Sequence, residues 1–336
     1  MKYYAGLDVS LKETFVSIID EAGKIVKEGS VASESGALCS YLKGAGFAYE
    51  RIGIESGQLS IVLCKGLKKE GLPVLCVDAR HMAAALSARI NKNDRNDARG
   101  IAKMLRGEMY REVQVKSDAA CEEKVLLGSR RQLVRSRQQL RGTIRGLLKI
   151  YGVRIGTKAK FTTKVREAFQ GVSEGVQTSI GALLSSVEAI ETSLKSLDEQ
   201  LMKISKEDEV CKRLMTVPGV GPITAMTYKS TLDEPKRFER SSTVGAYMGL
   251  TPKQYASGTV DRHGRVSKMG PQECRVMLYE AAQSLLTRVQ KGSKLRSWGL
   301  KLVKKKGLRK ATVAVARKMA VILHRMWVSE KEFCAS

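Results

Sequence analysis

The first hundred residues alternate between short strand and helix patterns in an order that few folds share. Strand patterns cover residues 3–9, 14–20 and 24–32, with the turn Glu21-Ala22-Gly23 between the second and the third. Further helices and strands then alternate, at about 34–46, 51–55, 59–70, 74–77 and from about 79 onward. Three antiparallel strands followed by alternating helices and strands predict an α/β fold of the RNase H type at 1–115.

The middle of the chain, at 116–210, is predicted to be a helical coiled-coil linker. Residues 122–150 contain no proline and place leucines seven residues apart. Those leucines are Leu126, Leu133, Leu140 and Leu147. A second stretch, 180–204, repeats apolar residues in steps of three and four, which is the a and d pattern of a coiled coil. The pattern fits pairing within one chain and pairing between two chains. Residues 211–336 are predicted to form a mainly α domain, with a glycine-rich loop at 245–270.

Positive charge is concentrated in the last two thirds of the chain. The chain has 59 Lys and Arg against 34 Asp and Glu, a formal net charge of +25, of which only +3 belongs to residues 1–110. The windows 124–166 and 281–329 each hold 13 basic residues and no acidic one. A solvated helix face normally mixes both signs, so this surplus indicates binding to nucleic-acid phosphates. Six candidates share the first long helix: Arg130, Arg131, Arg135, Arg137, Arg141 and Arg145.

Several classes of protein are disfavoured by the same sequence. We expect no signal peptide and no membrane span, because nowhere do about 18 apolar residues run together. The seven cysteines never show Cys-x-x-Cys spacing and the three histidines lie far apart. These features predict reduced thiols in the cytoplasm and no structural zinc site.

Four acidic residues form the candidate catalytic site. Asp8 ends the first strand and Glu55 ends the fourth, so both should project from one end of the sheet. Asp94 and Asp97 stand three apart, which places them on one helix face. Each has an ordinary reading: strand-end acids cap the next element, and Asp94 caps its helix. Together they predict a Mg²⁺ site, with Mn²⁺ as the alternative, because converging carboxylates repel one another unless divalent cations bind between them. Two such ions activate oxygens for attack at phosphorus.

A proline and glycine turn separates two helical segments at 216–222. The run Val217-Pro218-Gly219-Val220-Gly221 looks like a helix-hairpin-helix turn, in which Gly219 and Gly221 would present backbone N–H groups to a phosphate. A plain interhelical turn explains the same residues equally well.

Sequence motifs in both halves resemble one family. In the C-terminal half these are Gly249-Leu250-Thr251-Pro252, Ser257-Gly258 and Ser267-Lys268-x-Gly270 with Arg275. In the N-terminal half they are Gly6-x-Asp8-Val9-Ser10, Glu55-Ser56-Gly57 and Lys92-Asn93-Asp94-x-x-Asp97-Ala98. They resemble the C-terminal signature and the DEDD motifs of the IS110 family of insertion-sequence transposases, relatives of the Piv DNA invertase.

The resemblance implies a RuvC-like RNase H domain joined by a coiled coil to a transposase domain. It implies that Asp8, Glu55, Asp94 and Asp97 bind the metal and that Ser257 is the nucleophile. The implied partners are double-stranded donor and target DNA, an element-encoded bridge RNA that pairs with both, and further copies of the chain, as a dimer to tetramer. A prokaryotic cytoplasm, with association with the nucleoid during activity, is the implied location.

The chemistry expected at Ser257 is attack at phosphorus, which forms a phosphoserine link to DNA and stores the bond energy for rejoining. Either metal-held hydroxide or a nearby base such as His263 would activate the hydroxyl. Four cations are expected to surround the scissile phosphate, with general DNA affinity as the alternative: Arg262, Arg265, Lys268 and Arg275.

Two other functions remain open from the sequence. A structure-selective nuclease or junction resolvase would use the four acids and leave Ser257 incidental. A non-catalytic protein that packages nucleic acid would explain the net charge of +25 but not the acids.

Overall fold

The computed structural model describes residues 1–87, 93–156, 160–168 and 172–335, without the side chains of residues 260, 261 and 263. The prediction that His263 activates the serine therefore lies outside the described residues. The chain divides into two compact units, Met1–Lys116 and Ser117–Ser336. A linker at 116–210 with a function separate from 211–336 stays a prediction.

The first unit is a five-stranded mixed sheet with helices on both faces. Its strands are β1 (Tyr3–Val9), β2 (Glu13–Asp20), β3 (Ile25–Ala32), β4 (Tyr49–Glu55) and β5 (Val74–Val77). Its helices are α1 (Ser35–Lys43), α2 (Ser60–Lys69), α3 (Ala79–Leu86) and α4 (Asp94–Arg106). The strand order is β3-β2-β1-β4-β5, with β1 to β3 antiparallel and β1, β4 and β5 parallel. This architecture agrees with the RNase H-like fold predicted from the order of elements.

The side chains of β1 alternate between the two faces of the sheet, and helices pack on both faces. Ala5 and Leu7 are buried in the cluster that α1 and α2 complete, whereas Tyr4 packs with Ile101 and Leu105 of α4. Successive strand side chains point to opposite faces, so each face acquires its own apolar core.

Two facing glycines let α4 lie directly on the sheet. Gly6 of β1 pairs with Gly53 of β4. A Cβ at Gly6 would lie 2.0 Å from the Ala98 carbonyl oxygen and 2.6 Å from the Ala102 nitrogen. Both are backbone atoms of α4, so the helix could accept a side chain there only by moving away from the strand.

We expect Gly6→Ala to lower the free energy of unfolding of the first unit by about 2–3 kcal/mol, as for an overpacked core. Chemical denaturation of Gly6→Ala, of a control variant and of the wild type measures these free energies of unfolding. Gly36→Ala in α1 is the matched control, because a Cβ added there would have no atom within 4 Å. It should leave stability unchanged or raise it by about 0.5–1 kcal/mol. Equal stability of the two variants would contradict the close packing of α4.

The second unit is mainly α-helical, as predicted. Its helices are α5 (Asp118–Lys149), α6 (Phe161–Ala168), α7 (Glu174–Glu207), α8 (Glu209–Met215), α9 (Pro222–Leu232), α10 (Ser241–Tyr247), α11 (Gln272–Thr287), α12 (Lys294–Lys306) and α13 (Leu308–Ser329). Two strands, β6 (Pro252–Ser257) and β7 (Val260–Val266), form an antiparallel hairpin. Within the described ranges no helix is long and apolar enough to cross a membrane.

The hairpin corrects the expectation of a glycine-rich loop at 245–270. Ser257 pairs with Val260, so Gly258 and Thr259 form a two-residue turn in which Gly258 has φ +55°. Such turns need a positive φ that glycine adopts readily. All six residues of β6 are exposed, so the strand lacks the apolar alternation that identifies a half-buried strand.

The two long helices pair within the chain and run antiparallel. Arg130 and Arg141 of α5 form ion pairs with Asp198 and Glu191 of α7, so increasing residue numbers on one helix meet decreasing numbers on the other. Their shared core contains Ile144, Leu148, Ile180, Leu184 and Val187. The winding of a coiled coil stays a prediction.

The predicted leucine stripe of α5 is displaced by one residue at both ends. Leu147 is 38% exposed, whereas Leu127 and Leu148 are buried. Leu126-Leu127 and Leu147-Leu148 are pairs of adjacent leucines, so a spacing of seven residues fits either member of each pair. Packing against the rest of the unit decides that the second leucine of each pair is the buried one.

Candidate active site

The ends of β1 and β4 bring two of the predicted acids together. Leu7 pairs with Ile54 in the parallel register, and Asp8 and Glu55 are the residues that follow. Both line one cleft of about 290 Å³, together with Ser10, Ser56 and Ser60. Parallel neighbouring strands end at the same edge of a sheet, which is the reason that acids 47 positions apart in sequence share a cleft.

Asp94 and Asp97 occupy the first turn of α4. The helix cap is Asn93, whose side-chain oxygen accepts a hydrogen bond from the Asn96 amide at 2.8 Å. The reading of Asp94 as the helix cap is therefore wrong. Asp94 is exposed and Asp97 is half-buried, and both lie outside the cleft that Asp8 and Glu55 line.

The metal prediction rests on the chemistry of these carboxylates. Among the residues that the structure describes, no group of three or more His, Cys, Asp or Glu is arranged to hold a metal ion. Asp8 and Glu55 nevertheless supply the oxygen ligands that Mg²⁺ prefers, at one place. The observed cleft therefore fits two members of the predicted set of four.

A half-buried carboxylate on β3, that of Glu28, anchors α4. The Arg99 guanidinium donates to both oxygens of Glu28, at 2.6 and 2.7 Å, and the Ser17 hydroxyl donates at 2.8 Å. The hydrogen bond from Arg99 lowers the pKa of Glu28 below its ordinary value. Arg95 lies 3.7 Å from the same carboxylate. The pair thus ties the helix that carries Asp94 and Asp97 to the sheet.

We expect Glu28→Gln to lower the free energy of unfolding by about 1–2 kcal/mol at pH 7, because a charge-assisted double hydrogen bond is lost. The folded-state pKa of Glu28 is depressed, so its contribution to stability is full above the unfolded pKa of about 4.3 and is lost progressively as pH falls through the lower folded-state pKa. Denaturation at pH 7 and at about pH 3 should show the difference between variant and wild type shrinking. Glu21→Gln, at an exposed turn, is the control. A difference that is equal at both pH values would contradict the role of the ionised pair.

Ser257 lies at the tip of the hairpin in the second unit. It is the last residue of β6 and is exposed to solvent. Arg262 pairs with Tyr255 on the neighbouring strand, and both are exposed. The predicted nucleophile therefore stands on a projecting two-stranded ribbon, with cationic Arg262 two register positions away.

Two of the four cations predicted around Ser257 lie at the base of the hairpin, and binding of phosphate by either stays a prediction. Arg275 donates from Nη1 to the Met248 carbonyl oxygen at 3.1 Å and the Gly270 carbonyl oxygen at 3.4 Å, and burial lowers its pKa. The Lys268 amide donates to the Gly249 carbonyl oxygen at 3.1 Å. Arg262 and Arg265 remain the exposed cations of β7. Arg275 thus braces the base of the hairpin, a role that sequence spacing could not separate from phosphate binding.

The arginines of α5 have intramolecular partners that the sequence did not reveal. Arg131 forms an ion pair with Glu273 of α11, in addition to the pairs of Arg130 and Arg141 with α7. The Arg145 guanidinium lies 4.8 Å from the centre of the Phe161 ring. The expectation that all six face a nucleic-acid backbone is therefore too simple. Arg135 is exposed and Arg137 is half-buried, and contact of this helix with nucleic acid stays a prediction.

Packing explains one glycine of the proline and glycine turn. Gly219 has φ +92°, and a Cβ there would lie 2.5 Å from the Ala281 carbonyl oxygen of α11. Gly221 precedes α9, and a Cβ added at that position would have no atom within 4 Å. The turn at Gly219 thus has a structural cause, whereas phosphate binding at Gly221 is untested.

Two family models match separate parts of the chain. A DEDD transposase model of IS110 elements matches residues 5–153. A model described as the transposase IS116/IS110/IS902 family matches residues 211–297. Together they span more than half of the chain and include all five predicted catalytic residues.

Curated relatives carry transposase names. The transposase for insertion sequence element IS1111A of Coxiella burnetii is 29% identical, over 78% of this chain and 73% of the relative. The putative transposase y4pF/y4sB of Sinorhizobium fredii is 29% identical, over 72% of this chain and 64% of the relative. A probable family 20 transposase of Pseudomonas aeruginosa is 27% identical, over 69% and 71%.

Proposed function

Since the chain belongs to the IS110 family of transposases, enzymes that act on DNA, we propose that it cuts and rejoins donor and target DNA through a covalent phosphoserine intermediate. The observation that carries this proposal is the pairing of Asp8 and Glu55 in one cleft of an RNase H-like unit. The exposed Ser257 of the second unit supports the covalent step.

The proposed role of the acids is to bind Mg²⁺, or Mn²⁺, in a RuvC-like site. Asp8 and Glu55 would hold the ion in the cleft, with Asp94 and Asp97 contributed by the first turn of α4. The bound ion would supply Lewis acidity and neutralise charge at the scissile phosphate. The four carboxylates would orient it, and the Glu28–Arg99 pair would keep α4 in place.

The proposed role of Ser257 is nucleophilic. Its Oγ attacks phosphorus, the bond from phosphorus to the leaving DNA oxygen breaks, and the hydroxyl proton passes to a base. A hydroxyl of the second DNA strand then attacks the phosphoserine and releases Ser257. Each step exchanges one ester bond for another, so joining needs no ATP. Arg262 and Arg265 would stabilise the charge that develops on the phosphate.

Guidance by a bridge RNA and assembly as a dimer to tetramer are further parts of the proposal. Support comes from the net charge of +22 beyond residue 110, since phosphate binding by two nucleic acids requires many cations. A prokaryotic cytoplasm is the proposed location.

The experiment that tests the proposal combines the full chain with Mg²⁺, labelled donor DNA, labelled target DNA and candidate RNA encoded in the DNA that flanks the gene. Each component is then omitted in turn. Joined DNA should form only in the complete reaction. Cleaved but unjoined DNA, formed without RNA, would support a nuclease or resolvase. Binding that weakens steeply with salt and yields no product would support packaging.

A further inference from the structure

The turn between α12 and α13 carries a dense positive surface that the proposed chemistry does not use. Six of the ten residues from 301 to 310 are Lys or Arg, and all six are exposed. They are Lys301, Lys304, Lys305, Lys306, Arg309 and Lys310. We refer to these six side chains as the cationic tip.

Among the residues that the structure describes, the cationic tip has no acidic partners. The chain holds no Asp or Glu between Glu280 and Glu330. None of the described residues forms an ion pair with any of the six side chains. The arginines of α5 differ in this respect, because Arg130 and Arg141 are paired with carboxylates of α7.

Stability of the fold accounts for only part of this charge. Lys304, Lys305 and Lys306 lie at the C-terminus of α12, where the helix dipole favours cations. Arg309 and Lys310 lie in the first turn of α13, which has no acidic residue and where the dipole disfavours cations. Their repulsion from the neighbouring lysines adds to that cost.

Contacts outside the cationic tip hold the two helices together. A Cβ at Gly299 of α12 would lie 2.8 Å from Val315 Cγ2, and the Lys318 ammonium of α13 lies 4.5 Å from the Trp298 ring. The helices therefore pack as an antiparallel pair, and the end of α12 and the start of α13 project from the same end. From Lys301 to Lys306 the helix rises about 7.5 Å, so its cations can reach several phosphates of a duplex, which carries one charge per about 1.7 Å of axis.

We propose that the cationic tip binds the phosphate backbone of double-stranded DNA without reading its sequence. The positive charge of the tip indicates a polyanionic partner. The chain belongs to a family that acts on DNA, so we take that partner to be DNA. Binding of DNA by the cationic tip does not depend on Ser257 or on the four acids. The binding proposal therefore stands or falls separately from the proposed chemistry.

The first test replaces three lysines in the full chain, Lys304→Gln, Lys305→Gln and Lys306→Gln. Affinity for a fluorescent duplex of arbitrary sequence is measured by anisotropy between about 50 and 200 mM salt. The slope of log affinity against log salt should become shallower by up to about 2.7, at about 0.9 per lost phosphate contact, and affinity should fall by about tenfold or more.

The matched control removes the same charge from α7 by Lys195→Gln, Lys203→Gln and Lys206→Gln. These lysines are also exposed, but acids such as Glu191 and Glu199 lie among them. The control should keep the wild-type slope. An equal loss of DNA affinity in the control would overturn the proposal, and so would an unchanged slope in the tip variant. A loss of affinity for RNA alone, with DNA affinity unchanged, would also overturn it.

A second variant separates binding from folding. Arg309→Gln with Lys310→Gln removes cations that the helix dipole disfavours, so the unfolding midpoint should stay equal or rise. DNA affinity should still fall, with a slope shallower by up to about 1.8. A variant that is as stable as the wild type and binds DNA equally well would overturn the proposal.

Discussion

Replacement of Ser257 by alanine is expected to abolish the covalent protein–DNA adduct and the joining of strands. The variant loses the oxygen that attacks phosphorus, and the alanine methyl group cannot act as a nucleophile. Ser257 is exposed at the tip of the hairpin, so alanine should not disturb the fold. Denaturing gels of reactions with labelled DNA measure the adduct directly.

Thr259→Ala is the matched control for the serine variant. Thr259 offers a second exposed hydroxyl in the same turn, and its loss should leave the adduct unchanged. An adduct that persists in Ser257→Ala would assign the nucleophile to another residue. Cleaved DNA without an adduct in wild type and variant alike would assign hydrolysis to the acids.

Asp8→Asn is expected to reduce strand cleavage by about a hundredfold or more. Asparagine has the size of aspartate but lacks the negative charge that would hold a divalent cation beside Glu55. Cleavage rates measured across a Mg²⁺ titration should show both a lower maximum and a higher Mg²⁺ requirement. Binding of RNA should stay close to that of the wild type, because the cleft carries no part of the basic surface.

Asp20→Asn controls for the general effect of removing an aspartate charge from a strand end. Asp20 is the last residue of β2, and its side chain accepts a hydrogen bond from the Lys24 amide that asparagine can preserve. It should cleave DNA at the wild-type rate. Loss of RNA binding in Asp8→Asn, together with a lower unfolding midpoint, would show that Asp8 is structural.

Much of the first unit could be predicted from local pattern. The order of strands and helices indicates the mixed sheet, and the positions of Asp8 and Glu55 at strand ends indicate their shared cleft. Asn93 precedes Asp94 in the family motif, and its side chain caps α4. Asparagine in that position is a good helix cap, so the signal was present in the sequence.

The second unit was harder to predict, because its polar side chains find partners far along the chain. Arg131 pairs with Glu273, 142 positions later, and Arg275 bonds to the Met248 carbonyl, 27 positions earlier. Both residues looked like free phosphate ligands by composition. The exposed hairpin that carries Ser257 had no apolar alternation to reveal it.

The sequence by itself determined the family, the order of strands and helices in the first unit, the edge of the sheet where Asp8 and Glu55 meet, and the surplus of positive charge. These follow from local periodicity and motif, since the burial of one face of a helix or strand leaves a repeat in the sequence. Only the tertiary structure decided which cations are already neutralised and which leucine of each adjacent pair is buried. It also decided that the lysines at the α12–α13 turn form no ion pair with the described part of the chain. Such choices depend on contacts between residues distant in sequence, and composition does not record them.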